Sequence, residues 1–225
     1  MIDSVEKALR LVQVFSAEHP DLTVSEAAEQ TGLSRATARR ILLTLQRLGF
    51  ASTDGRRFRL TPAVLRLGYG YLSAMPWWEH AQPHMRSLAD ELRESCSMAA
   101  LDGADIVYVA RVPGSRSMTL TLTTGSRLPA YPTSMGRVLL AALPEEALTA
   151  YLDSVTLEPL TARTITDPTE FRAELGLVRE RGFALADGER EEGVRSVAAP
   201  VRDRNGRTQA AVNVTVHAAE TSIDR

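Results

Sequence analysis

The chain has 225 residues, 44% of them hydrophobic, with 26 Lys and Arg against 28 Asp and Glu and a formal net charge of −2. That length suggests one or two domains, and that composition supports a packed core and excludes wholesale disorder. The near-neutral total is a cancellation: residues 1–75 carry ten cations and seven acids, residues 76–225 carry 16 cations and 21 acids. A basic front and an acidic back point to two domains with different partners. Eight arginines and a single acid, Asp54, lie between Arg35 and Arg66. Cys96 is the only cysteine, so neither an intrachain disulfide nor a cysteine-rich zinc site can form, which suits a reducing cytosol. The first residues include Asp3 and Glu6 and lack the apolar core of a secretory signal. No stretch approaches the roughly 18 apolar residues needed to span a bilayer. A cytoplasmic protein that needs no membrane, metal or cofactor is expected.

Val5, Ala8, Leu9, Val12 and Phe15 recur at helical spacing, so residues 4–17 read as an amphipathic helix with Asp3 as its N-cap. Thr23-Val24-Ser25-Glu26 is a capping-box pattern that opens a short helix over about 24–31, and Gly32 stops it. Ser34 then caps a third helix, about 35–48, with Ala38, Ile41, Leu42, Leu45 and Leu48 as its buried stripe. Arg35, Ala36, Thr37, Arg39 and Arg40 lie in its first turns, off that stripe or on its flank, and Leu43 also projects outward. A short helix, a glycine turn and a capped helix with a cationic first half form a helix-turn-helix layout, which can present its first turns to base edges in a major groove. Phe50-Ala51-Ser52-Thr53 and Arg57-Phe58-Arg59-Leu60 flank Asp54-Gly55, a pairing that predicts a two-residue type I′ hairpin turn. Phe58 and Leu60 would point inward and Arg57 and Arg59 outward, with Arg56 and Arg57 crowding the tip of a basic wing suited to phosphates. A solvated charged face is the bland alternative for any one of these arginines; their clustering on a helix-turn-helix and wing favours DNA.

Thr61-Pro62 starts a linker helix to about Ala74, which gives domains 1–61 and 76–225 joined by residues 62–75. Its stripe of Gly68, Tyr71 and Leu72 serves either core packing against the winged domain or a helix–helix dimer contact. Beyond it, a helix is expected over about 78–94. Strands follow at 97–101, 105–112 and 118–123, helices at 134–142, 145–152 and 168–181, and a closing hairpin of 196–201 and 209–216 around Asp203-Arg204-Asn205-Gly206. This is an α+β domain with a mainly antiparallel sheet. It holds no phosphate loop and no HExxH motif. His80 and His84 could share a metal, but surface histidines without a third ligand fit better. Cys96 reads as a structural thiol rather than a nucleophile. The run 187–193 reads as a solvated loop rather than a cation site, since Arg190 offsets its acids. Leu128-Pro129-Ala130-Tyr131-Pro132-Thr133-Ser134-Met135 leads into a helix start, where free backbone N–H groups make a seat for a carboxylate.

The sequence resembles the IclR family of bacterial transcription regulators along nearly its whole length. The resemblance rests on Ser4-Val5-Glu6-Lys7-Ala8-Leu9, Leu22 to Ala28, Gly32 to Arg40, Leu60-Thr61-Pro62, Thr133 to Ala141, Glu192 to Ser196 and Ala198-Ala199-Pro200-Val201. Glu94-Ser95-Cys96-Ser97, Asp105 to Val112 and Leu128 to Tyr131 resemble its aromatic-acid branch, whose members govern β-ketoadipate-pathway genes. The resemblance implies a winged helix-turn-helix, a GAF-like effector-binding domain, and dimers or tetramers on palindromic operator DNA. It also implies a small organic acid as effector, aromatic or dicarboxylic. By position, the family pocket falls on Leu120, Leu128, Ser134, Met135, Ala186, Val194, Ser196, Asn213 and Thr215. Where other members carry an acid this chain has Ala186, so the neighbouring Asp187 is included as a candidate. Arg111 could bind a carboxylate or make a surface or interface salt bridge. The family usually continues into a C-terminal helix, whereas this sequence stops at Arg225, either trimmed or naturally short. An enzyme acting on a small acid through the second domain is the alternative function.

Overall fold

The computed structural model describes residues 2–115 and 122–221, so the expected strand over 118–123 falls largely outside the described residues. Within them the chain divides into two units, residues 1–75 and 76–225.

The first unit contains α1 (Asp3–Gln13), β1 (Asp21–Thr23), α2 (Val24–Thr31), α3 (Arg35–Arg47), β2 (Ala51–Thr53), β3 (Arg57–Leu60), a 3-10 turn (Pro62–Val64) and α4 (Leu65–Ser73). The N-cap of α1 is Ile2 rather than Asp3; Asp3 is already helical and pairs with Lys7 at 2.6 Å. The capping box of α2 is complete: Glu26 N donates to Thr23 Oγ1 at 3.3 Å and Thr23 N donates to Glu26 Oε2 at 2.7 Å. Gly32 ends that helix at φ 68°, a left-handed conformation that glycine adopts without steric penalty. Leu11, Leu22, Ala27, Ala28, Ala38, Leu42 and Phe58 form the core, joining all three helices to the hairpin. Each fully buried large side chain there contributes about 1.5–3 kcal/mol. The sheet runs β1-β3-β2, all antiparallel. The hairpin turn departs from the two-residue expectation. Of Asp54 and Gly55 only Gly55 has positive φ, and residues 54–56 form a three-residue connection. Asp54 Oδ1 accepts from the N–H groups of Arg56 and Arg57, so the carboxylate organises the tip in place of a second left-handed residue.

The second unit contains α5 (Pro76–Leu92), β4 (Ser95–Asp102), β5 (Asp105–Val112), β6 (Arg127–Pro129), α6 (Ser134–Ala141), α7 (Glu145–Ser154), α8 (Pro168–Arg181), β7 (Ala184–Asp187), β8 (Val194–Arg202) and β9 (Thr208–His217). Its sheet runs β6-β5-β4-β9-β8-β7 with every neighbour antiparallel. β6 and β7 add to the strands expected from sequence; they are three and four residues long, too short for alternation to stand out. α8 has the expected bounds, since Asp167 caps its N-terminus, Pro168 opens it and Gly182 closes it at φ 79°. α6 is buried along its whole length and packs with α8 on the sheet, enclosing Ala99, Ile106, Phe171, Leu175, Ala198 and Ala211. Gly136 lets the loop before α6 fold back against the helix, because a Cβ there would overlap the Ala130 carbonyl. Buried Arg137, one residue on, holds Glu189 through both guanidinium N–H2 groups and donates from Nε to the Tyr131 carbonyl at 3.2 Å. The loop after β7 is thereby tied to the start of α6.

Candidate DNA interface and ligand pocket

The outer face of α3 follows from its cap and its period. Ser34 Oγ accepts from Thr37 N at 3.2 Å and donates to Thr37 Oγ1 at 2.9 Å, so both hydroxyls help to start the helix. Burying Ala38 and Leu42 turns Arg35, Ala36, Arg39, Arg40 and Arg47 outward. Leu43, 38% exposed, lies on the same side. Among the described residues none of Arg35, Arg39, Arg40 or Arg47 pairs with a carboxylate, nor do Arg56 and Arg59 on the hairpin. A helix face carrying unneutralised guanidinium groups is built for an anionic partner.

Arg57 is different. It pairs with Asp21, donates to the Asp21 carbonyl at 3.0 Å and reaches Glu26 Oε2 at 3.1 Å. Those carboxylates raise its pKa, with the hydrogen bond to Asp21 as the main cause. Arg57 lies on the face opposite buried Phe58, as alternation expects, but it is not a free cation there: it clamps β3 to β1 and to the capping box of α2. Glu26 in turn is held below the usual glutamate range, chiefly by the Thr23 backbone N–H.

In the second unit the sheet register assembles the pocket. Ala186 pairs with Ser196, Ser196 with Thr215 and Thr215 with Ser95; in the next row Ala198, Asn213, Ser97 and Arg111 align. Thr133 caps α6 by accepting from Gly136 N at 3.0 Å, and Ser134 Oγ lies 2.8 Å from Ser196 Oγ. The first-turn amides of Ser134 and Met135 have no intrahelical acceptor. Leu128, Met135, Ala186, Val194, Ser196, Asn213 and Thr215 line one cavity of about 40 Å³. Ser134 adjoins it through Ser196, and Leu120 lies outside the described residues. Asp187 is not part of it: strand alternation turns its side chain to the opposite face, where it pairs with Arg195 at 2.8 Å and with Arg163. The Arg195 hydrogen bond holds its carboxyl below the ordinary range.

The cavity also has walls that strand alternation alone could not assign. Tyr108 and Arg111 come from β5, Arg190 and Glu191 from the loop after β7. Arg111 donates to Ser97 Oγ and Ser95 Oγ at 3.3 and 3.2 Å, and Arg190 pairs with Glu191 at 3.1 Å. Burial pushes the Tyr108 phenol up, with Arg190 and Arg111 opposing. Two guanidinium groups and a helix start around a cavity suit a small anion. A wider cleft of about 650 Å³ lies at the other end of α6, lined by Val138, Ala141, Val178, Arg179, Pro200 and Arg202. It is an open groove without comparable convergence of polar groups, so the smaller cavity is the better site. Cys96 is buried, and its thiol is pushed up to about 11, which suits a structural thiol.

A capped cationic helix beside a basic hairpin, followed by a sheet unit with a polar cavity, describes a DNA-binding regulator that answers to a small molecule. Residues 4–55 match the IclR helix-turn-helix domain and residues 69–225 the bacterial transcriptional regulator IclR C-terminal domain. The chain belongs to the IclR family of transcriptional regulators. It is 42% identical to the Pca regulon regulatory protein of Pseudomonas putida, over 95% of this chain and 74% of that one. It is 36% identical to the p-hydroxybenzoate hydroxylase transcriptional activator of Acinetobacter baylyi, over 94% of this chain and 80% of that one. These relatives match the aromatic-acid branch and are named as regulators, not enzymes. The crystal structure of a putative transcriptional regulator from Rhodococcus sp. RHA1 superimposes with a TM-score of 0.86 at 49% identity, covering all of this chain and 90% of that one.

Proposed function

We propose that α3 enters the major groove of operator DNA, with Arg35, Ala36, Thr37, Arg39 and Arg40 at or beside base edges and Ser34 at the phosphate-facing helix start. Arg56 reaches a phosphate from the wing, and Arg57 holds the wing in position. The unneutralised arginines on α3 carry this reading. The pocket of the second unit takes a small organic acid, aromatic or dicarboxylic, on Ser134, Met135, Ser196, Asn213 and Thr215, with Arg111 and Arg190 favouring its carboxylate. A cavity of about 40 Å³ must widen to admit such an acid, so ligand binding selects a different arrangement of its walls. Residues 62–75 pass that change to residues 1–61.

A homodimer, further paired into a tetramer on some operators, completes the reading. α4 supports it: the helix has no buried residue, and Leu65 and Tyr69 are 70% and 67% exposed. Core packing of α4 within its own unit is not supported by that exposure. No helix among the described residues is long and apolar enough to cross a membrane, which fits a cytoplasmic site of action.

Fluorescence anisotropy against a duplex recovered from the protein's own promoter by footprinting tests the DNA reading. Arg39→Ala with Arg40→Ala should weaken binding by about 1–3 kcal/mol for each arginine that reads a base edge. An unchanged footprint and affinity would remove α3 from the interface.

A further inference from the structure

One side chain on the outer face of α3 suits neither the core nor a phosphate. Ile41, Leu42 and Leu45 face the core of the first unit, with Leu42 fully buried. At about 3.6 residues per turn, the middle of the opposite face falls on Ala36, Arg40, Leu43 and Arg47, spaced i, i+4, i+7 and i+11. Leu43 is 38% exposed there. A leucine exposed alone on a protein surface needs no explanation. This one stands among guanidinium groups: Arg39 and Arg40 lie one turn before it and Arg47 one turn after. None of the three arginines pairs with a carboxylate among the described residues.

That setting selects the partner. An apolar protein surface laid over Leu43 would also cover the arginines and bury unpaired charge, which is costly. A phosphate calls for a donor, and leucine has none. The floor of the major groove meets both needs, since it offers acceptors to arginine and one apolar group, the C5-methyl of thymine.

We propose that Leu43 packs on the C5-methyl of a thymine in the operator and is the residue that specifies a T·A pair at that position. This rests on the reading of α3 as the major-groove helix. The arginines on either side supply attraction and hydrogen bonds; the leucine supplies discrimination, because cytosine, the other pyrimidine, carries no methyl there.

The test uses the full chain and the footprinted duplex in fluorescence anisotropy. Each thymine of the footprint is replaced in turn by deoxyuridine, which removes the C5-methyl and keeps every donor and acceptor. In wild type at least one replacement should weaken binding about fourfold, the worth of one buried methyl group. Leu43→Ala should bind the parent duplex about fourfold more weakly, and the same replacement should then cost nothing further. Leu43→Met, which keeps an apolar end within reach, should retain the loss. Salt dependence should be the same in all three proteins, because leucine neutralises no phosphate. If no deoxyuridine duplex binds more weakly than the parent, or if the loss persists in Leu43→Ala, the assignment is wrong. A reduced salt slope in Leu43→Ala would also overturn it, by tracing the effect to displaced arginines. Failure of the α3 reading itself looks different: Arg39→Ala with Arg40→Ala would then bind as wild type. Leu43 lies off the core stripe, so Leu43→Ala should fold; should it not, Leu43→Gln takes its place with the same expected loss of the methyl effect.

Discussion

Neighbouring residues of one type can have opposite roles. Arg56 is exposed at the tip of the hairpin, whereas Arg57 is held between Asp21 and Glu26. Nothing in the local sequence separates them, because Asp21 is 36 residues away and its pairing depends on β1, a three-residue strand. Ala186 and Asp187 show the same limit in reverse: alternation along β7 sends the acid away from the pocket, and that is legible only once the segment is known to be a strand. Gly136 is the sharpest single-residue constraint. Its Cβ position is occupied by a backbone carbonyl, which cannot rotate aside. Gly136→Ala should destabilise the second unit by about 1–3 kcal/mol or more, read as a lowered melting transition in near-UV circular dichroism. An unshifted transition would show that the loop carrying Ala130 can move off α6.

At the level of elements, the segments announced by caps are the ones whose bounds the sequence makes legible. Thr23 with Glu26, Ser34 with Thr37, and Asp167-Pro168 with Gly182 each mark a helix end through hydrogen bonds made within a few residues. Asp54-Gly55 announces a turn correctly but not its type, which depends on where the flanking strands leave the ladder. The pocket is half legible: β8 and β9 carry Ser196, Asn213 and Thr215 at alternate positions, but Tyr108, Arg190 and Glu191 arrive by tertiary packing. The capping box makes a local prediction. Thr23→Ala should cost about 1 kcal/mol, which corresponds to roughly fivefold faster exchange of the Glu26 amide through local opening. The same box has a pH signature. Because folding lowers the Glu26 pKa, its contribution is present above the glutamate range and is lost as pH falls through it. Protection of the first turn of α2 should therefore drop on acidification, and Glu26→Gln should flatten that drop. Acid-independent protection in wild type would contradict it.

For the whole molecule, the division of charge is a division of labour. On α3 and the hairpin Arg57 alone of seven arginines is ion-paired among the described residues, whereas the second unit ties up several of its arginines: Arg127 with Asp102 and Asp105, Arg137 with Glu189, Arg163 and Arg195 with Asp187, Arg172 with Glu145, Arg181 with Glu174. Operator affinity should fall steeply with salt, since each neutralised phosphate contributes about 0.9 to the slope of log K against log salt. Arg56→Ala should reduce that slope by about one phosphate's share, and Arg57→Ala should leave it unchanged while weakening binding through a misplaced wing. Equal reductions in slope would place Arg57 on the DNA after all.

The Arg57 clamp also limits how portable this hairpin is. Here the turn-proximal Arg57 is bolted through Asp21 to β1 and through Glu26 to α2, the helix that precedes α3. A transplant of residues 51–60 alone would leave two carboxylates behind in the donor and strand an arginine in the host. The transferable piece is the hairpin together with Asp21 and Glu26, three segments that are discontinuous in sequence and must move as one.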